Sequence, residues 1–264
     1  MKNWRKWRPV IICCMVLASH AAFPLPLKNF SSTQDRVLSE DVELQAMQKS
    51  VQEARDAAKE AYDRKDFVHA AELGDASSQL NLGMLYEQGQ GVSKDFAKAA
   101  EWYRRAADNG YPVAQYNLAM AYERGQGVPK DGTQADLWYR KAAEQGHAIS
   151  QFKEGVKSLL GKNGVPDYEQ AALWLRKAAE QGDAQAQFGL GALYQDGIGI
   201  PQDDSQAVVW FRKSAEQGFA KAQYSLGLLY EAGRGLDRSS EKANEWKMKA
   251  IQQGYNPVSH GGIR

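Results

Sequence analysis

Tryptophan recurs at Trp102, Trp138, Trp174, Trp210 and Trp246, at a fixed interval of 36 residues. A strict period of this order is the signature of stacked supersecondary units, none of which can bury its apolar face without a neighbour. The same interval carries Gln79, Gln115, Gln151, Gln187 and Gln223, and also Gly110, Gly146, Gly182, Gly218 and Gly254. It divides the chain into five units: 75–110, 111–146, 147–182, 183–218 and 219–254. A chain of 264 residues with 43% apolar content could form two globular domains, but a repeat array builds one continuous core, so length does not count domains here.

Within 75–110, apolar residues recur at helical spacing on both sides of a glycine pair, which predicts helix, turn, helix. The first helix, near 76–88, puts Leu82, Leu85 and Tyr86 on one face, and Gly83 leaves room for a neighbouring backbone. Gly89 and Gly91 end it, because glycine enters left-handed conformations without a Cβ penalty. Asp95 stands where the second helix needs an N-cap, and Ala99, Trp102 and Ala106 form its apolar stripe. Alanine permits close helix approach and tryptophan fills the remaining volume, so all five tryptophans read as structural core. Truncating Trp174 to alanine is predicted to cost about 3–5 kcal/mol.

Repeat four reads Ala184-Gln185-Ala186-Gln187, Leu190-Gly191, Tyr194, Gly197-Ile198-Gly199, Asp203, Ala207, Trp210 and Gly218. This pattern resembles the Sel1-like repeat, a relative of the tetratricopeptide repeat. Tetratricopeptide units run to about 34 residues and carry their tryptophan in the first helix, whereas here it follows the glycine turn. The resemblance implies an all-α fold, a right-handed superhelical α-solenoid whose first helices line a concave surface that holds other proteins. It also implies frequent service in bacterial envelopes or in secretion and signalling assemblies. Cysteine-rich relatives, with a disulfide in each repeat, are associated with penicillin binding or β-lactamase activity, but those cysteines are absent here.

The N-terminus carries Lys2, Arg5, Lys6 and Arg8 without an acid, followed by an apolar run from Val10 to Ala18. That reads as a secretory signal peptide, 1–21, since nine apolar residues fall short of the roughly 20 a membrane span needs. Cys13 and Cys14 both lie in this leader, so the mature chain has no thiol, disulfide or cysteine metal site. Cleavage removes four positive charges and no negative one, taking the formal net charge from +1 to −3, which argues against nucleic acid as the main partner. A periplasmic or secreted protein with no integral membrane span after cleavage is expected.

A linker, 22–36, leads to an N-terminal capping region, 37–74. Leu44, Met47, Val51, Ala54, Ala58 and Ala61 step by threes and fours along a helix expected over 37–64. Asp66 to Glu72 then repeats the start of a second helix but reaches Gly74 seven residues early, as a truncated half repeat. At the other end, Lys247 stands where earlier units place Tyr103, Tyr139, Leu175 and Phe211, which predicts a polar outer face closing the array. Residues 255–264 form a tail.

Repeat three is irregular. Glu154, Lys157 and Ser158 replace the usual Leu, apolar residue and Tyr, while Leu159 and Leu160 replace polar residues. The apolar face reads as rotated by a one-residue insertion, absorbed as a π-bulge and offset by a deletion at Gly164-Val165-Pro166-Asp167. Neutral drift in a central unit held on both sides accounts for this irregularity; the sharper reading is a partner contact near Lys153, Glu154 and Lys157. Asn81, Asn117 and Ser225 occupy the same variable position as Lys153 in other units and join the candidates. The glutamines, beside the alanine that starts each first helix, are expected to hydrogen-bond across units rather than to a partner.

No His-Glu-x-x-His, Gly-x-Ser-x-Gly, phosphate-binding loop or cysteine pair occurs, and His69, His147 and His260 form no motif. No catalytic, cofactor-binding or metal-ligating residue is assigned. The basic pairs Arg104-Arg105, Arg140-Lys141, Arg176-Lys177 and Arg212-Lys213 read as solvated faces of the second helices. The reading is a monomeric, non-enzymatic scaffold for a protein or peptide partner. Two alternatives stand beside it: a β-lactamase or penicillin-binding activity, and a periplasmic regulator docking on a membrane sensor.

Overall fold

The computed structural model describes residues 48–49, 51–53, 67–161 and 164–256. The leader, the linker, most of the expected helix over 37–64 and the tail from Pro257 lie outside the described residues. The chain divides into a unit Met1–Glu53, in which 48–49 and 51–53 are helical, and a unit Ala54–Arg264 that holds the array.

Eleven helices are described in the second unit. They are α1 (Phe67–Glu72), α2 (Ala76–Gln88), α3 (Phe96–Asp108), α4 (Pro112–Arg124), α5 (Gly132–Glu144), α6 (Ala148–Leu160), α7 (Tyr168–Glu180), α8 (Ala184–Asp196), α9 (Asp204–Glu216), α10 (Ala220–Ala232) and α11 (Ser240–Gln252). Even-numbered helices are the first helix of a repeat and odd-numbered ones the second, with α1 as the half repeat. From α3 to α9 each second helix packs on the first helix of its own repeat and on the first helix of the next, while α1 packs on α2 and α11 on α10, which makes an α-solenoid.

Local chemistry fixes most of the helix ends, although Tyr111 and Phe219 precede α4 and α10 without a side-chain cap. Asp95, Asp131, Asp167, Asp203 and Ser239 cap the second helices by accepting first-turn N–H bonds. Gly89, Gly125, Gly197 and Gly233 end first helices in the left-handed conformation, at φ 67–75° and ψ 31–35°. The second glycine of the turn has a different task. A Cβ on Gly127, Gly199 or Gly235 would lie 1.9–2.3 Å from the carbonyl oxygen of Phe96, Tyr168 or Asp204, in the preceding repeat's second helix, so only glycine allows the turn to seat there.

The glutamine column is a buried amide ladder that crosses the repeats. Gln79, Gln115, Gln151, Gln187 and Gln223 donate from Nε2 to the carbonyls of Ala71, Ala107, Ala143, Ala179 and Ala215 at 3.0–3.2 Å, each in the preceding second helix. Each Oε1 in turn accepts from the residue ending its own repeat's second helix: Asn109, Gln145, Gln181, Gln217 or Gln253, at 2.7–3.2 Å. Both functions of each buried amide are therefore satisfied, and the half repeat joins the ladder through Ala71.

The tryptophan column is graded. Trp138, Trp174 and Trp210 are 6%, 4% and 7% exposed, whereas Trp102 and Trp246, in the outer repeats, are half-buried. In every repeat the basic residue three positions on lies over the indole face: Arg105, Lys141, Lys177, Lys213 and Lys249, at 3.9–4.5 Å from the ring centroid. Arg104, Arg176 and Arg212 reach across to the hydroxyls of Tyr122, Tyr194 and Tyr230 in the next repeat. The paired basic residues are thus partly spent on internal contacts, which corrects their reading as simply solvated faces.

Two expectations are overturned. First, α6 is a regular α-helix of 13 residues, the same length as its counterparts, with no π turn. Gly155 keeps the position of Gly83, Gly191 and Gly227, and a Cβ on it would come within 2.8 Å of Leu175. The register is therefore held, and the unusual residues are substitutions in place. Second, Lys247 does not face outward. Its position packs inside its own hairpin against Gly227, and its ammonium bonds Glu231 at 2.7 Å. The exposed residues of α11 include Met248 and Ile251, at the positions that hold Arg212 and Ala215 one repeat earlier.

Candidate partner-binding surface

In the regular repeats a leucine closes the middle of the first helix: Leu82, Leu118, Leu190 and Leu226 are all buried. Repeat three places Glu154 there, 4% exposed, and a buried carboxylate requires a partner. Arg140 supplies it, with Nη1 donating to Oε2 at 2.8 Å. The guanidinium is free to turn because Ser158 has replaced the tyrosine that its counterparts bond. Its Nε also donates to Glu144 Oε1 at 3.0 Å, and its centre lies 5.1 Å from the Trp174 ring. The hydrogen bonds to Glu154 and Glu144 hold the Arg140 pKa above its ordinary value.

Around this pair the surface changes. Between α5 and α6 lies an open hollow of about 530 Å³ whose apolar lining includes Ala135, Tyr139, Phe152, Val156 and Leu160. The equivalent space one repeat earlier, between α3 and α4, measures about 20 Å³. Leu160 is 72% exposed, where other first helices carry Gln88, Arg124, Asp196 and Ala232. Phe152, Val156 and Leu160 recur every four residues and so form one ridge along α6.

Charged residues bridge the hollow. Lys157 Nζ lies 2.6 Å from Asp136 Oδ2, and Lys153 Nζ lies 3.2 Å from both oxygens of Glu123. Tyr139 donates its hydroxyl to Glu123 Oε2 at 2.7 Å, and Lys153 sits 4.3 Å above the Tyr139 ring. Burial pushes the Glu123 carboxyl up, but the bonds from Tyr139 and Lys153 outweigh it and leave its pKa below the ordinary value. Burial and the neighbouring Glu123 raise the Tyr139 phenol well above its usual range.

The structure thus brings three of the sequence-predicted residues to one place but divides them. All three border the hollow, but Glu154 is buried and already held by Arg140, which corrects its reading as a surface contact, whereas Lys153 and Lys157 reach its open edge. Asn117 lines the small space one repeat earlier, while Asn81 and Ser225 are half-buried on their own first helices. Sequence reasoning did not single out Phe152, Val156, Tyr139 or Asp136. The signal for Asp136 was present, since Ala100, Ala172 and Val208 occupy its position elsewhere and are buried.

His147 caps α6, its Nδ1 accepting from Ser150 N at 3.3 Å, and its ring stacks on Tyr116 with centroids 4.8 Å apart. Burial lowers its pKa. His69 is exposed on α1, and His260 lies outside the described residues. Among the described residues, no group of three or more His, Cys, Asp and Glu side chains could hold a metal ion. No helix among them is long and apolar enough to cross a membrane.

The family model of the Sel1 repeat matches residues 76–111, 112–147, 155–183, 184–219 and 220–255. The third match begins only at Gly155, and so omits the first half of α6. A Sel1 repeat protein from Oxalobacter formigenes is 34% identical, with a TM-score of 0.63 over 75% of this chain and 82% of that one. A protective antigen of uropathogenic Escherichia coli strains, displaying an SLR fold, is 36% identical, with a TM-score of 0.65 over 72% of this chain. This chain spans 40% of that antigen's length. No curated protein sequence matches the chain.

Proposed function

We propose, on the premise that this chain belongs to the Sel1 repeat family, that it is an exported, non-enzymatic adaptor of the bacterial envelope. It holds a protein or peptide partner on its row of first helices. Sel1 repeat proteins are generally protein-interaction scaffolds, and the fold is typically non-catalytic. The observation that carries the reading is the contrast between frame and surface. The amide ladder repeats in every unit, whereas the variable position of the first helices holds Asn81, Asn117, Lys153, Gly189 and Ser225. A fixed frame that presents variable side chains lowers the ordering cost of association, since little is immobilised on binding.

The apolar ridge of Phe152, Val156 and Leu160 gives this surface an anchor site, and Lys153 and Lys157 give it polar edges. Export rests on the leader read at 1–21. A photo-crosslinking residue placed at Asn117, Lys153 or Leu160 in producing cells tests the proposal. A discrete adduct in the periplasmic or secreted fraction is expected from these sites and not from Val209, on a second helix. Adducts from Val209 alone, or none from the first helices, would overturn it.

A further inference from the structure

Four junctions join the five repeats, and their equivalent positions can be compared within one molecule. At the first, Ala100 and Ala121 are both buried; at the third, Ala172 and Leu193; at the fourth, Val208 and Leu229. The second junction has Asp136 and Lys157 at these positions, an ion pair whose side chains are 56% and 52% exposed. The cross-repeat bond from arginine to a tyrosine hydroxyl, made by Arg104, Arg176 and Arg212, is missing here because Ser158 replaces the tyrosine. The buried leucine has become Glu154, and the adjoining space has grown from about 20 to about 530 Å³. The turn also departs. Gly161 ends α6 at ψ 161°, far from the 31–35° of the other first-helix caps.

We infer that the junction between repeats two and three is a weak joint, held by the Gln151 amide bond and by ion pairs where its neighbours have apolar packing, at which α6 loosens and opens locally before the other first helices do. In a linear array the cohesion at each boundary is a nearest-neighbour quantity, so one weak interface divides the array into blocks that open separately. Here the weak boundary runs along α6, so local opening starts at that helix, between repeats one and two on one side and the rest of repeats three to five on the other. Exposed ion pairs hold less firmly than buried aliphatic contacts, and salt screens them. Arg140 to Glu154 is the exception. That carboxylate is buried, so salt screens the pair less than the exposed ones, although the arginine side chain is itself 48% exposed. The fourth junction also carries an ion pair, Arg234 to Asp204 at 2.7 Å, but there it supplements the buried Val208 and Leu229.

Hydrogen exchange of the full chain, followed by mass spectrometry, tests this by comparing four equivalent first helices. Amides of α6 are expected to exchange at least about tenfold faster than those of α4, α8 and α10, and the gap should widen as NaCl rises from about 0.05 to about 1 M. The combined variant Asp136→Ala, Glu154→Leu, Lys157→Leu and Ser158→Tyr writes the neighbouring repeats' residues into the junction. It should bring α6 to within about threefold of the others and remove the salt dependence. Equal protection of the four helices in the unaltered protein would overturn the inference, whether or not the variant folds. So would an α6 rate that the folded variant leaves unchanged.

Discussion

Replacing Gln187 tests whether the amide ladder stabilises the array. This side chain is 4% exposed, donates to Ala179 O at 3.1 Å and accepts from Gln217 Nε2 at 2.7 Å. Gln187→Leu keeps the volume and removes both bonds. Each net hydrogen bond is worth about 0.5–1.5 kcal/mol, and a stranded buried partner costs about 1–3 kcal/mol. Both stranded groups retain a second bond, since Ala179 O also accepts from Gly182 N at 3.0 Å and Gln217 Nε2 also donates to Gly182 O at 3.0 Å. The loss should therefore lie in the lower part of the range, about 2 kcal/mol.

Gln187→Glu changes one atom and turns the donor facing Ala179 O into an acceptor. Burial beside a carbonyl raises the folded-state pKa of the new carboxyl above the roughly 4.3 of the unfolded chain. An acid whose pKa rises on folding loses stability as pH climbs from the unfolded value to the folded one. The Glu variant should thus be less stable than the Leu variant at about pH 8 and approach it near pH 4, by at most about 1.4 kcal/mol per pH unit. Urea unfolding followed by circular dichroism measures both, with the exposed Gln185→Leu as control. A Gln187→Leu protein within about 0.5 kcal/mol of the parent would refute the reasoning, as would a Glu variant whose relative stability ignores pH.

Two further outcomes follow from burial. Trp174→Ala should lower stability by about 3–5 kcal/mol, and Trp102→Ala by clearly less because its ring is already half in water; equal losses in urea titrations would contradict the graded column. The cap made by His147 requires a neutral Nδ1, and its pKa is lowered on folding, so its contribution is whole above about pH 6.5 and fades as pH falls below that value. His147→Asp, which copies Asp75 and Asp183 at the same position, should retain the cap and flatten that fall. Parallel loss in both proteins between about pH 7 and pH 5 would count against it.

The period of 36 residues determined the helical hairpins, their order, the capping aspartates and the glycine turns. Those features are local or strictly repeated, and spacing alone exposes them. It also marked repeat three as different and placed Lys153 and Lys157 among the residues to watch. What spacing could not reveal was the kind of difference. Glu154 and Ser158 look like a rotated helix until Gly155 is seen against Leu175, because register is set by what a residue touches across the hairpin.

Lys247 is the same lesson in the fifth repeat, since position alone does not tell whether a side chain faces its own repeat or away from it. The hollow beside Phe152 was likewise invisible in the sequence. It arises from Asp136, Lys157 and Ser158, which stand up to 22 residues apart and meet only when two repeats stack. Sequence determined the frame because identical units need identical contacts. Tertiary structure decided the surface, because there the contacts differ from one junction to the next.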